Sequence, residues 1–301
     1  MLKYFLEVAR KGKMTSAAES LYVSQPALSK QIKDLEKELG RKLFRRGSRS
    51  VSLTEEGLLL YKRAEDIVAL AEKTKEEFQS LGEIQGGDLH IGCTESFLIK
   101  HLAEKIKALK NKYPLVRYHL TSGDSDVVTD RLDRGLLDFA VIVEPPDMSK
   151  YNYVQMPGHD TWCAIMPATH RLAKKKRITA DDLIGEELIC SEQSIKSDIP
   201  RWCGEKADSL SFTGHTNLAY NGAVFVREGL GIMLALANLV QTPKKSGICS
   251  RPLEPPLSNS IYLIWRKKQA FAPIAALLLE EFKKPGSSAD KIIMRNKYGL
   301  I

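Results

Sequence analysis

Gln25, Ser29, Lys30 and Lys33 stand where one helix face would present an amide, a hydroxyl and two ammonium groups side by side. Those groups match base edges in a DNA major groove: Gln pairs with adenine, Lys with guanine, and Ser with either through one bond. The residues between them explain why they face outward. Leu28, Ile32, Leu35 and Leu39 recur at spacings of four, three and four, a helical stripe that anchors the opposite side to a core. Ser24 is placed to cap this helix, and Pro26 falls in its first turn, where a missing N–H costs little. Gly40 closes it.

The elements that must position this face lie on either side. Thr15 or Ser16 is expected to cap a preceding helix, with Ser16 and Glu19 at capping-box spacing. Ala17, Ala18 and Leu21 face inward, the small alanines letting two helices cross closely, and Tyr22-Val23 makes the turn. A helix-turn-helix presents the N-terminal half of its second helix to base edges. Downstream, Leu43–Thr54 reads as two short strands around a turn, a wing whose Arg45, Arg46 and Arg49 would hold phosphates or a minor groove. Charge agrees: residues 1–54 carry twelve Lys and Arg against five Asp and Glu, most of the excess in a 301-residue chain of net charge +8. A basic run alone fits a solvated face equally well; beside a helix-turn-helix it favours a polyanion.

Residues 54–84 read as one long helix. Leu60, Ala64, Ile67, Ala71, Thr74, Phe78 and Leu81 follow an a/d heptad pattern with charged residues between, which predicts a two-helix dimerisation seam. The competing reading packs this stripe on its own domain. Gly82, Gly86 and Gly87 end the helix and supply a hinge.

From Leu89 the pattern changes to α/β. Leu89–Cys93, Val116–Thr121 and Phe139–Val143 read as strands, separated by helices over Ile99–Lys112 and Ser125–Arg134, which predicts a parallel sheet with right-handed crossovers. A second set follows, with strands near Cys163–Met166, Leu188–Cys190 and Ile261–Trp265, and the helix Ala272–Lys283 returns to the first sheet. Two α/β lobes joined by two crossing strands result, with a ligand cleft between them.

Residues 13–57 closely resemble the winged helix-turn-helix of LysR-type transcriptional regulators, without a gap. The resemblance rests on Ala17-Ala18, Leu21, the run Ser24–Ser29, Gln31-Ile32, Leu35-Glu36, Leu39-Gly40, Leu43-Phe44, Arg46 and Leu53–Gly57. Thr15 near Gly12 and Glu56 before Gly57 are mild departures. Farther on, Gly123-Asp124-Ser125 with Leu132–Ala140, and Val226–Ile232, are similar to the family's ligand loop and later helix-to-strand turn. The resemblance implies an α/β protein with four parts. These are a winged helix-turn-helix (1–57), a long linker helix and hinge (58–87), a two-lobed effector domain similar to periplasmic solute-binding proteins (88–284), and a tail (285–301). It also implies double-stranded DNA and a small metabolite as partners. Self-association as a dimer, extended to a dimer of dimers, and RNA polymerase as a candidate partner complete the set. No cofactor or metal is expected beyond an effector of unknown identity.

For the effector, hydroxyls and amides at strand ends are the candidates. Ser96 follows the first strand and Ser125 opens the helix after the second, where both could offer oxygens and helix N-terminal amides to an anion. Ser191 and Asn217 are candidates in the second lobe. Glu95 is expected to face solvent, and Asp124 raises the same question for an anionic ligand. The competing reading for each serine is helix capping. The basic run Arg171–Arg177 is expected to be a solvated loop between the lobes.

Other functions are disfavoured. The five cysteines are scattered without CxxC pairing, and neither Cys190 nor Cys203 sits in a switch motif. No GxGxxG, P-loop, GxSxG or HExxH motif is present, and the six histidines do not cluster. A solute-binding protein would need an export signal, which the opening residues do not resemble, and would leave residues 1–60 unexplained. A ligand-independent DNA binder would not need two lobes. The longest strongly apolar stretch, Gly229–Val240, is too short to span a bilayer, so no membrane partner and a cytoplasmic location are expected.

Overall fold

The computed structural model describes residues 1–47, 50–79, 85–143 and 149–283, and only the backbone of Arg46 and Gln79. The chain divides into two compact units, Met1–Gln79 and Ser80–Ile301. The expected segment 285–301 and Leu81 and Gly82 of the expected hinge lie outside the described residues.

In the first unit, helices α1 (Leu2–Lys11), α2 (Met14–Ser20) and α3 (Gln25–Leu39) precede strands β1 (Phe44–Arg46) and β2 (Val51–Leu53) and the long helix α4 (Glu55–Gln79). Gly12 and Gly40 end α1 and α3 in the left-handed conformation, at φ 63° and 65°, where a Cβ would be strained. Phe5, Val8, Ala17, Leu28, Ile32 and Leu43 form the centre of the core, with Phe5 and Phe44 rings 5.2 Å apart. β1 and β2 pair antiparallel, Phe44 opposite Leu53 and Arg46 opposite Val51.

Three local expectations change. α2 starts at Met14, with the extended Lys13 before it, so Thr15 and Ser16 lie inside its first turn and cap nothing. Gly12 has already turned the chain one residue earlier. Leu39 is 47% exposed, because the last turn of α3 runs past the core; the buried residue near that end is Glu36. On α4, Leu60 and Ala64 pack into the unit's own core with Tyr61 and Val68. Of the predicted seam, Ile67, Ala71, Thr74 and Phe78 are exposed, and Leu59 and Leu70 join them. The helix therefore carries two apolar stripes, one inward and one outward.

In the second unit the first lobe contains β3 (Gly86–Cys93), α5 (Lys100–Lys112), β4 (Leu115–Ser122), α6 (Ser125–Asp133), β5 (Phe139–Val143) and β6 (Tyr151–Gln155). The second contains β7 (Asp160–Pro167), α7 (Ala180–Leu183), β8 (Glu187–Cys190), α8 (Glu192–Lys196), α9 (Asp198–Cys203), β9 (Ser211–His215), α10 (Ala219–Arg227), β10 (Ile232–Leu236), β11 (Ile248–Pro252) and β12 (Ser258–Asn259). The chain then returns through β13 (Ile261–Arg266) and α11 (Pro273–Lys283) to the first lobe. The first sheet has the order β4-β3-β5-β13-β6; the second has β11-β7-β10-β8-β9, with β12 also on β7.

The β3–β4 and β3–β5 pairs are parallel, but β13 runs antiparallel to β5 and β6, so each sheet is mixed rather than wholly parallel. The second sheet likewise has β10 antiparallel to β7. A chain that crosses to the other lobe and comes back must re-enter the first sheet in the reverse direction. The two crossings run side by side: Met156 N–H donates to Ile261 C=O at 2.8 Å and Trp162 N–H to Leu257 C=O at 2.9 Å. α5 and α11 cover one face of the first sheet through Leu102, Ile106, Ile274 and Leu278. α6 covers the other through Val128 and Leu132. Gly86 and Gly87 open β3 instead of forming a free hinge; a Cβ on Gly86 would come within 2.3 Å of the Leu115 carbonyl carbon. The run Arg171–Arg177 lies inside the second lobe, between β7 and α7, where Arg171 pairs with Glu186, Lys175 with Asp182 and Arg177 with Glu254. No helix among the described residues is long and apolar enough to cross a membrane.

Candidate DNA-binding face and effector cleft

α3 displays the predicted groups on one side. Ser24 is its N-cap, its hydroxyl accepting from the Ala27 N–H at 3.4 Å, and Pro26 sits in the first turn. Ser24, Gln25, Pro26, Lys30 and Lys33 are exposed and Ser29 is half-buried. Gln25, Pro26, Ser29, Lys30 and Lys33 fall within about 140° of arc at 3.6 residues per turn. Leu28, Ile32 and Leu35 hold the other side down. In the wing, strand alternation buries Phe44 and exposes Arg45. Arg49 and the side chain of Arg46 lie outside the described residues.

Glu36 was not foreseen as a buried group. One carboxylate oxygen accepts from the N–H groups of Leu43 (2.9 Å) and Phe44 (3.3 Å), and the other from the Lys42 ammonium (3.1 Å). Burial pushes this carboxyl up, and the hydrogen bonds from Leu43, Lys42 and Phe44 more than offset it, so its pKa is held below the ordinary 4.5. The link fixes the start of the wing to the last turn of α3. Its sequence signal was its place four residues after Ile32 and eight after Leu28, on the buried stripe of α3.

In the second unit, a cavity of about 100 Å³ lies between the lobes. Ser125, Ser191 and Asn217 line it; Ser96 does not. The Ser96 hydroxyl donates to Asp160 at 2.5 Å and accepts from the Leu98 N–H at 3.0 Å, a capping and anchoring arrangement that uses both of its capacities. Thr94 and Glu95, two residues and one residue earlier, reach the cavity from that loop. Asp124, raised from the sequence as a question for an anionic ligand, also lines it, and so do Gln193, Asp198 and Trp162, which were not singled out. Their signal was their position at strand ends and helix starts, which a sequence offset of one or two residues hides.

Glu95 turns inward, against expectation: its carboxylate accepts from the Ala219 N–H at the start of α10, at 2.6 Å. Asp124 caps α6 by accepting from the Val127 N–H at 2.9 Å, and the Ser125 N–H donates to Gln193 at 3.2 Å across the cleft. Ser191 caps α8 and also donates to Ser194 at 2.8 Å. The Ser125 hydroxyl oxygen is buried without a hydrogen-bond partner among the described residues. Behind the cleft, Asn259 accepts from Trp162 Nε1 at 2.6 Å and from Arg201 at 3.0 Å, and donates to Asp198 at 2.8 Å. Burial pushes the thiols of Cys93, Cys163 and Cys190 up to about 12, which leaves little reactive thiolate at neutral pH.

A helix-turn-helix followed by a two-lobed α/β ligand domain defines an effector-responsive DNA-binding regulator. Residues 1–58 match the family model described as bacterial regulatory helix-turn-helix protein, lysR family, and residues 83–285 match the LysR substrate binding domain. The chain belongs to the LysR family of transcriptional regulators. It is 28% identical to the HTH-type transcriptional regulator YtlI of Bacillus subtilis, over 97% of this chain and 98% of the relative. It is 33% identical to the probable RuBisCO transcriptional regulator of Porphyra purpurea, over 82% and 80%. The LysR family transcriptional regulator CbnR has the same fold: TM-score 0.75 at 20% identity, covering 96% of this chain and 98% of CbnR. CbnR has also been solved with its target DNA.

Proposed function

We propose that this chain reads an inverted-repeat operator through α3 and releases or rearranges on it when a small metabolite enters the cleft between the lobes. The observation that carries this reading is the outward arc of Gln25, Ser29, Lys30 and Lys33 on a capped helix followed by a wing bearing exposed Arg45. Gln25, Ser29 and Lys30 read base edges; Ser24, Pro26 and Lys33 seat the helix N-terminus and flank; Arg45, with Arg46 and Arg49, holds the backbone. Residues 1–57 act as the DNA reader, 58–87 as the dimer linker that runs into β3, and 88–284 as the sensor. The protein works by binding rather than catalysis, in the cytoplasm, and RNA polymerase is its candidate downstream partner.

The outward stripe of α4 supports self-association. Leu59 and Leu70, and Ile67 and Phe78, are each eleven residues apart, close to three helical turns, and all four are exposed. Dimers would set two α3 helices one DNA turn apart, about 34 Å, and dimers of dimers would bend DNA. Leu70→Glu is expected to convert the dimer to monomer in sedimentation experiments and to lose cooperative operator binding. An unchanged sedimentation coefficient would show that the outward stripe is not the seam.

Selection of random duplexes by the purified chain, followed by binding at two salt concentrations, tests the main reading. An inverted repeat and a steep salt slope are expected. Ser29→Ala or Lys30→Ala should relax preference at individual positions by about 1–3 kcal/mol. Arg45→Ala should weaken every sequence alike and lower the salt slope by about one. Equal losses at all sequences for all three variants would contradict the assignment.

A further inference from the structure

The cleft is built of acceptors. Glu95, Asp124 and Asp198 line the cavity, and no Lys, Arg or His does so among the described residues; His215 lines the adjoining pocket beyond Ser191 and Asn217. Asp198 is answered by Arg201 at 2.8 Å, but Glu95 and Asp124 have no cationic partner among the described residues; the hydrogen bonds they accept come from backbone N–H groups. Lys196 and Arg201 line an adjoining pocket that shares Asp124, Val143, Gln193 and Asp198 with the cavity; there Lys196 pairs with Glu192 and Arg201 with Asp198.

An anion entering a two-lobed domain would use the amides at helix starts. Here the protein's own oxygens already take them. Glu95 holds the Ala219 N–H of α10, Asp124 the Val127 N–H of α6, Gln193 the Ser125 N–H, and Ser191 the Ser194 N–H of α8. An anion would meet two carboxylates without a cationic partner among the described residues, and these four amides are already taken. The converse holds for a ligand that brings donors. Oε1 of Glu95 and Oδ2 of Asp124 accept no hydrogen bond among the described residues, and the Ser125 hydroxyl, in a residue 1% exposed that lines the cavity, has no partner. Those are three oxygen positions, and an alkylammonium carries three donors.

We propose that the effector is a small organic cation, a primary ammonium on a short apolar chain, held by Glu95, Asp124 and Ser125. The proposal rests on the regulator reading above and names the chemistry of its sensor. Met233, Leu234 and Leu236 supply an apolar wall for the chain, and Trp162 an aromatic ring of the kind that attracts cations.

The test titrates n-butylammonium chloride, sodium butyrate and 1-butanol into the full chain at constant ionic strength, followed by tryptophan fluorescence and thermal shift. Saturable binding of butylammonium, at least fivefold tighter than butanol and with no response to butyrate, is expected. Asp124→Asn keeps a capping oxygen and Glu95→Gln keeps an acceptor for Ala219, so both should fold, and each should weaken butylammonium at least tenfold. Butyrate binding as well as butylammonium, absence of saturable butylammonium binding, or an unchanged affinity in both variants would overturn the proposal. The same preparations are put through the operator selection. Sequence-specific DNA binding without amine binding removes only this inference; loss of DNA specificity removes the regulator reading whatever the amine does.

Discussion

Glu36→Leu is expected to melt the DNA-binding unit well before the effector unit and to abolish operator binding at temperatures where the native chain binds. Leucine fits the volume but accepts nothing, so the N–H groups of Leu43 and Phe44 lose their partner at the start of the wing. Each stranded buried donor costs about 1–3 kcal/mol, so a loss of about 2–6 kcal/mol follows for the two. The three tryptophans, Trp162, Trp202 and Trp265, all lie in the second unit. Helical circular dichroism should therefore fall in an early phase while tryptophan fluorescence holds. A single coincident transition at the native temperature would rule out this role. pH adds a second check. The folded carboxyl has a pKa below its ordinary 4.5, so its contribution is complete above that value and disappears as pH falls through the folded pKa. Glu36→Gln keeps one acceptor, should cost less than Glu36→Leu, and should remove this part of the acid sensitivity.

Asn259→Asp should have the opposite signature, destabilising the effector unit and sparing DNA-binding helicity. Asn259 is fully buried and spends its amide hydrogen on Asp198 Oδ1, which is itself buried. Aspartate keeps the acceptor for Trp162 and Arg201 but sets a second carboxylate against Asp198, with Arg201 the one cation among the described residues to answer both. Breaking a buried charged network of this kind costs about 3–5 kcal/mol. The new carboxyl would have its folded pKa raised by burial and by its neighbour. Its penalty is therefore full at neutral pH and shrinks on acidification, as protonation returns a donor toward Asp198. Fluorescence-detected melting at pH 7 and pH 5 measures both effects. Equal stability to the native chain at pH 7 would show that the hub carries no such weight.

The two hubs differ in how much of them could be read beforehand. Everything that depends on neighbours three or four residues away was legible: the α3 stripe, its Ser24 cap and Pro26, the glycine ends, the short wing strands, and the βαβ start of the second unit. These follow from helical and strand periodicity and from turn chemistry, which act over one or two turns of chain. α4 marks the boundary of that legibility. Its a/d spacing was real, but spacing cannot say which stripe meets the chain's own core. Packing against α1 and the wing assigned Leu60 and Ala64 inward and left Leu59, Ile67, Leu70 and Phe78 outside.

The order of helices, the outward face of α3 and the presence of a two-lobed sensor were thus determined by the sequence on its own, because local hydrogen bonding and hydrophobic periodicity suffice for them. Tertiary structure alone decided the mixed strand directions, the burial of Glu36, and the character of the cleft. Glu95 meets Ala219 across 124 residues of chain and Ser125 meets Gln193 across 68. Whether a carboxylate faces water or fills a helix end in the opposite lobe depends on where two sheets bring their strand ends together, and no local pattern encodes that distance.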